Sequence, residues 1–280
     1  MDQSEFENVG IETVQAIQLY MLKVLADICD THTIRYYLAA GTLLGAVRHK
    51  DFIPWDDDLD LTVPRPDFNR LLEVLKTEGL PEGMTYSWLD NPSHDLPFLK
   101  IFYRDSYVEE SKLEPQFRKS KIWVDVFPLD GVPTNPLKLK LVFFIAIQLR
   151  NFLYTGTVDP KKLVGYQKIG TMVLKPLSQA IGAPRIARWI NSFARCFDFT
   201  TSQLIGNLVW GTHADEAIEK EPYLSVVDLE FVDAQFHCPS CYDRHLTKKF
   251  GDYMTLPPED KRKSHLNGSY YLKKSVSNKW

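Results

Sequence analysis

"GTLLGAVRHKDFIPWDDDLDLTV", residues 41 to 63, places four carboxylates, Asp56, Asp57, Asp58 and Asp60, within five positions beside an apolar alternation. Two like charges about 4 Å apart repel by roughly 4 kcal/mol at an effective dielectric near 20. A solvated turn tolerates that repulsion. A half-buried strand tolerates it only with a cation among the oxygens. "DLDLTV" alternates strictly and stops at "PRP", so it reads as a strand. Asp58, Asp60 and Thr62 then share one face, with Leu59, Leu61 and Val63 toward the core. Two carboxylates so spaced can hold a hard divalent cation, and Mg²⁺ favours one or two carboxylates plus substrate phosphates. An EF-hand is excluded: counted from Asp56, the required Gly and Glu positions hold Leu61 and Asp67.

Working outward, Gly41 and Thr42 open a short helix, expected to begin at Thr42, whose free N–H groups suit a phosphate. Gly41 permits close backbone approach, and the Thr42 hydroxyl can add a hydrogen bond. A third carboxylate is expected on a neighbouring strand. Asp125 in "KIWVDVFPLD" lies in a run too apolar for a solvent-facing acid and is the candidate.

The rest of the chain frames this site. The 280 residues are 44% apolar and 25% charged, with a formal net charge of −3, as in a soluble globular protein and unlike a general nucleic-acid binder. "MDQSEFENVG" is acidic and lacks an apolar core, so no secretory signal is expected, and a cytoplasmic location is. The longest apolar run, "LVFFIAI" (141–147), is too short to span a bilayer. Cys29, Cys196, Cys238 and Cys241 suggest no disulfide framework. "HCPSC" (237–241) has one knuckle spacing, which His237, His245 or Cys196 would have to complete, so zinc is not expected.

Periodicity predicts a helix over 9–30 and another in "DFNRLLEVLKTEG", with strands at "MTYSWL", "PFLKIFY", "SYVEE" and "KIWVDVF". Helical patterns follow at 136–154, 160–180 and 184–198 and in "YDRHLTKKFGDYM". Between Pro136 and Arg195 stand ten basic residues, among them Lys138, Lys140, Lys161, Lys162 and Lys168, against the single acid Asp159. That asymmetry suggests an anionic partner. The expected plan is a single α+β catalytic unit over 1–280. It comprises a core over 1–135, a basic helical segment over 136–200 and a part completing the site over 201–280.

"AAGTLLGAVRHKDFIPWDDDLDL", "PFLKIFYRDS", "WVDVFPLDG" and "FGDYMTLPPEDKRKSH", in that order, resemble the LicD family of phosphotransferases within the nucleotidyltransferase superfamily. That family includes bacterial phosphocholine transferases and animal fukutin-related ribitol-phosphate transferases. The resemblance implies a nucleotidyltransferase-like mixed sheet with flanking helices and a helical elaboration. It also implies Mg²⁺ (or Mn²⁺), a CDP-choline or other CDP-alcohol donor, and a glycan acceptor such as a teichoic acid or lipopolysaccharide precursor. Asp58, Asp60 and Asp125 would be the metal ligands and catalytic acids, with Asp125 a shared ligand or the base. Arg48 and Lys100 are candidates for donor phosphates, since arginine suits bidentate contact. Asp56 and Asp57 would support the ligands or meet a cationic head group. Trp55 would stack on that group or simply anchor its loop. Lys261, Arg262 and His265 would close over an anionic ligand. A lipid-linked acceptor would place the enzyme peripherally on the anionic inner membrane face, with the basic segment against it. Two readings compete: nucleotidyl transfer from a nucleoside triphosphate on the same fold, and a non-catalytic binding protein retaining it.

Overall fold

The computed structural model describes residues 3–110, 119–163, 165–262, 264 and 268–280. In order, the chain forms β1 (Phe6–Val9), α1 (Ile11–Thr31), β2 (Tyr37–Leu38), α2 (Ala40–Arg48), β3 (Asp60–Pro64) and α3 (Arg65–Glu78). Next come β4 (Met84–Ser87), β5 (Leu99–Tyr103), β6 (Ser106–Glu110), β7 (Lys119–Ser120) and β8 (Trp123–Val132). Three helices follow: α4 (Pro136–Thr155), α5 (Gly165–Ile181) and α6 (Ala183–Ala194). Then come β9 (Leu204–Gly206), β10 (Ile218–Glu219), α7 (Lys220–Leu224), β11 (Val226–Phe231) and β12 (Ala234–Pro239). The chain closes with α8 (Tyr242–Phe250), β13 (Gly268–Lys273) and α9 (Lys274–Ser277).

β8 is the spine of this α+β fold because all ten of its residues are buried, which requires cover on both faces and both edges. β3 lies parallel to it with Asp60 opposite Asp125, and β2 lies antiparallel to β3. β5 and then β9 pair antiparallel along the opposite edge of β8, and β4 and β10 extend that side. A second sheet, β1-β13-β6-β7, joins the two ends of the described chain, and β11–β12 is a separate hairpin. α1 covers the principal core with Val14, Ile17, Met21, Leu22 and Leu25. α4 and α6 build a further apolar cluster on Phe98 and Phe127. Arg65, at the start of α3, forks onto Asp130 of β8 at 2.6 and 2.7 Å and also reaches Asn191 of α6 at 3.0 Å.

Several expectations are revised. The strand at the acidic run begins at Asp60, leaving Asp58 in the approach to it. α2 begins at Ala40, two residues before Thr42, with Ala40 itself at φ +46. The helix expected from 160 begins at Gly165 after a short 3₁₀ turn at Pro160–Lys162, and the next ends at Ala194. The "HCPSC" segment is no loop. His237 and Cys238 lie in β12, and burial pushes the Cys238 thiol up to about 12. Among the described residues no helix is long and apolar enough to cross a membrane.

Candidate active site

The acidic stretch is held from three sides. Thr42, buried in α2, accepts the Asp60 N–H on its hydroxyl oxygen at 2.9 Å, and Ala39 N–H donates to the Asp60 carbonyl at 3.0 Å. Asp125 N–H donates to the Leu59 carbonyl at 2.9 Å, which aligns the two acidic strands. From α1, Gln15 donates to the Asp56 carbonyl at 2.8 Å and Gln18 to the Asp57 carbonyl at 3.0 Å. Gly41 is required by packing: a Cβ there would run into the Asp56 carboxylate. The carboxylate oxygens of Asp56, Asp57 and Asp58 come within 4.8 Å of one another.

Burial and like charge together set the electrostatics of these acids. Burial, and then the charges of Asp58, Asp125 and Asp56, hold the Asp60 carboxyl well above the usual carboxylate range. Burial likewise raises Asp125 to about 6, against the opposing pull of Lys100, whose ammonium lies 2.7 Å away. Donors that are all carboxylate oxygens fit a hard divalent ion such as Mg²⁺ or Mn²⁺.

Asp56, Asp58 and Asp60 open into a cleft of about 870 Å³ together with Gly41, Arg48 and Trp55. Other expected residues are placed differently. Lys100 is committed to Asp125 and sits over the Trp123 ring at 4.1 Å, away from the cleft lining. The Thr42 hydroxyl pins β3 and is no part of that lining. Asp57 is turned inward, where its carboxylate accepts the hydroxyls of Ser264 and Tyr270. Trp55 lines the cleft with the Arg262 guanidinium 5.5 Å from its ring, so one face already has a cation. Arg262 donates to the Pro257 carbonyl, Lys261 is exposed outside the lining, and His265 lies outside the described residues. Arg48 donates to the Tyr253 carbonyl at 2.7 Å, and burial lowers its pKa, as does the charge of Arg262.

Sequence reading missed the opposite wall. α8 brings His245 and Lys249, and the segments around it bring Glu216, Tyr223, Trp210 and, from α4, Arg150 and Tyr154. Lys249 acts on Asp60 through its charge and pairs with Glu216 at 3.4 Å. Burial raises the Glu216 carboxyl, but Lys249 and hydrogen bonds from Thr212 and His213 outweigh it and leave the pKa below the ordinary value. The available signal was the basic "TKK" before the helix-ending Gly251, immediately ahead of the last stretch that carries the resemblance.

Burial, then Lys249, lowers His245 from 6.5 to about 4. The unfolded chain therefore binds a proton between those values that the native protein refuses, so stability falls as pH drops through that window. At about 1.4 kcal/mol per unit, His245 accounts for at most about 3 kcal/mol of acid destabilisation. Melting at pH 7.5 and pH 4.5 should show a smaller acid loss for His245→Phe than for wild type. Equal losses would mean that His245 protonates freely in the folded protein.

The LicD/FKTN/FKRP nucleotidyltransferase domain family matches residues 33–129, the stretch holding β2, β3, β5, most of β8 and the acids Asp56, Asp57, Asp58, Asp60 and Asp125. The chain is 28% identical over 264 residues to the lipopolysaccharide cholinephosphotransferase LicD of Haemophilus influenzae, covering 92% of this chain and 97% of that one. It is also 28% identical over 115 residues to the ribitol 5-phosphate transferase FKRP of Homo sapiens, covering 40% of this chain and 21% of that one. An uncharacterized Rickettsia typhi protein is 35% identical over 83 residues, 28% of this chain and 27% of its own length. The matched domain coincides with the acidic strands, and similarity to one relative runs nearly end to end, so the chain carries a LicD-type nucleotidyltransferase domain over residues 33–129.

Proposed function

We propose that this protein is a phosphotransferase that moves a phospho-alcohol, phosphocholine in the first instance, from a CDP-alcohol onto a hydroxyl of a cell-surface glycan. The observation that carries the reading is the gathering of Asp56, Asp58 and Asp60 in a cleft whose walls bear Arg48 and Lys249, with Asp125 paired beside Asp60 behind that lining. A bound Mg²⁺, held by Asp58, Asp60 and Asp125, would neutralise phosphate charge as it shifts toward the leaving group. Arg48 and Lys249 supply fixed positive charge to the donor phosphates, and Gly41 lets the first turn of α2 approach them. The acceptor oxygen bonds to the outer phosphorus, the pyrophosphate bridge breaks, and CMP departs. The hydroxyl proton passes to a carboxylate of the cluster, which acts as the general base. The remaining walls, Trp210, Tyr223 and Tyr154, offer aromatic surface for an alcohol or sugar.

CDP-choline with Mg²⁺ should raise the melting temperature, by RT ln(1 + [L]/Kd) in free energy, and raise it much less with EDTA. With a glycan acceptor the product should be CMP. Protection by a nucleoside triphosphate alone, with pyrophosphate released, would instead assign nucleotidyl transfer.

A further inference from the structure

α5 is built inside out. Its buried positions are polar: Thr171 and Ser178 are buried, and Lys175 is partly so. Two of these inward residues hydrogen-bond to α4 and the turn after it, Ser178 donating to the Phe152 carbonyl and Lys175 to the Val158 carbonyl. The outward arc is apolar: Ile169 is 67% exposed, Val173 70% and Leu177 55%, with Met172 beside them. These positions recur at i, i+4 and i+8, one stripe of a helix, so the exposure is a face and no scatter of single residues. A helix in water would present the opposite arrangement. α4 repeats the feature in its first half, where Leu137, Leu141 and Phe144 are exposed.

Charge indicates what covers this face. Ten basic residues and one acid lie between Pro136 and Arg195, in a chain of net charge −3, so the rest of the molecule is strongly acidic. Lys138, Lys140, Lys161, Lys168 and Arg185 are exposed on these helices and their connections. A second copy docked by the same patch would set these cations against each other. An apolar stripe within exposed cations matches an anionic bilayer, which takes the stripe between acyl chains and the cations at the headgroups. α5 also rests on the part of α4 that carries Tyr154 into the cleft.

We infer that α5, with the first half of α4, is a docking face for an anionic lipid bilayer. The test is flotation of the full-length protein with phosphatidylcholine vesicles, with and without phosphatidylglycerol. Wild type should float with the anionic vesicles and hardly with the neutral ones. Ile169→Ser, Val173→Ser and Leu177→Ser together should weaken that binding roughly tenfold or more at an unchanged melting temperature, because the three side chains are solvent-facing. Lys161→Glu with Lys168→Glu should weaken it by roughly fivefold for each cation. Wild type that ignores anionic vesicles, or a serine variant that binds as well as wild type, overturns the inference. So does a wild-type oligomer that the serine variant dissolves, which would assign the face to a second copy. Flotation needs no turnover, so its outcome is independent of the proposed reaction.

Discussion

Asp60→Asn and Asp58→Asn should each reduce turnover by about three orders of magnitude or more, equivalent to roughly 4 kcal/mol of barrier, while the protein stays folded. The reason is local. Asp60 begins β3 beside Asp125, and its carboxyl is held up by burial and by the charges of Asp58, Asp125 and Asp56. A raised carboxylate pKa means that the native protein binds a proton the unfolded chain has released, so metal-free stability falls as pH rises above the ordinary carboxylate range. Replacing Asp60 by neutral Asn removes that loss. In EDTA at pH 7.5 the variant should melt no lower than wild type, and at pH 4.5 any advantage should shrink. Adding Mg²⁺ should raise the melting temperature of wild type and leave Asp60→Asn nearly unmoved. Activity within about tenfold of wild type would remove the substituted residue from the ligand set.

Asp130→Ala should cost about 3–5 kcal/mol of stability, the largest effect expected away from the cleft. Asp130 and Arg65 are almost wholly inaccessible to solvent, and the guanidinium donates two hydrogen bonds to the carboxylate, at 2.6 and 2.7 Å. Burial raises the Asp130 carboxyl, and Arg65 draws it back. Removing the carboxylate strands a guanidinium between α3, β8 and α6, with the neutral Asn191 amide oxygen at 3.0 Å in place of a countercharge. The converse variant, Arg65→Met, leaves a carboxyl that can take up a proton, so its cost should ease at low pH where that of Asp130→Ala does not. Urea unfolding at pH 5 and pH 8 separates the two. A loss below about 1 kcal/mol for Asp130→Ala would show that the pair is no tie between these elements.

Much of this was legible because the signals were local. The alternation of "DLDLTV" placed Leu59, Leu61 and Val63 in the core and Asp58, Asp60 and Thr62 along the cleft. An aspartate inside "KIWVDVF" identified Asp125, because a charged group in an apolar run needs a partner wherever the strand lies. Gly79 and Gly251 sit where the reading required a helix stop, whereas the close neighbour of Gly41 is the Asp56 carboxylate. Helix starts were read less well at Thr42 and at 160, since propensity does not fix where a turn hands over to a helix.

By itself the sequence determined the α+β pattern, the acidic strand and the basic character of residues 136–195, each a property of neighbours along the chain. The tertiary structure decided who faces whom. It took Lys100 from the phosphates and gave it to Asp125, turned Asp57 onto Tyr270, brought Lys249 within reach of Asp60 and set His245 in the wall of the same cleft. It also turned α5 so that its polar residues met α4 and its apolar ones met solvent. Such pairings depend on strand register and helix rotation about a shared core. An electrostatic partner is selected by distance in space, which periodicity along the chain does not encode.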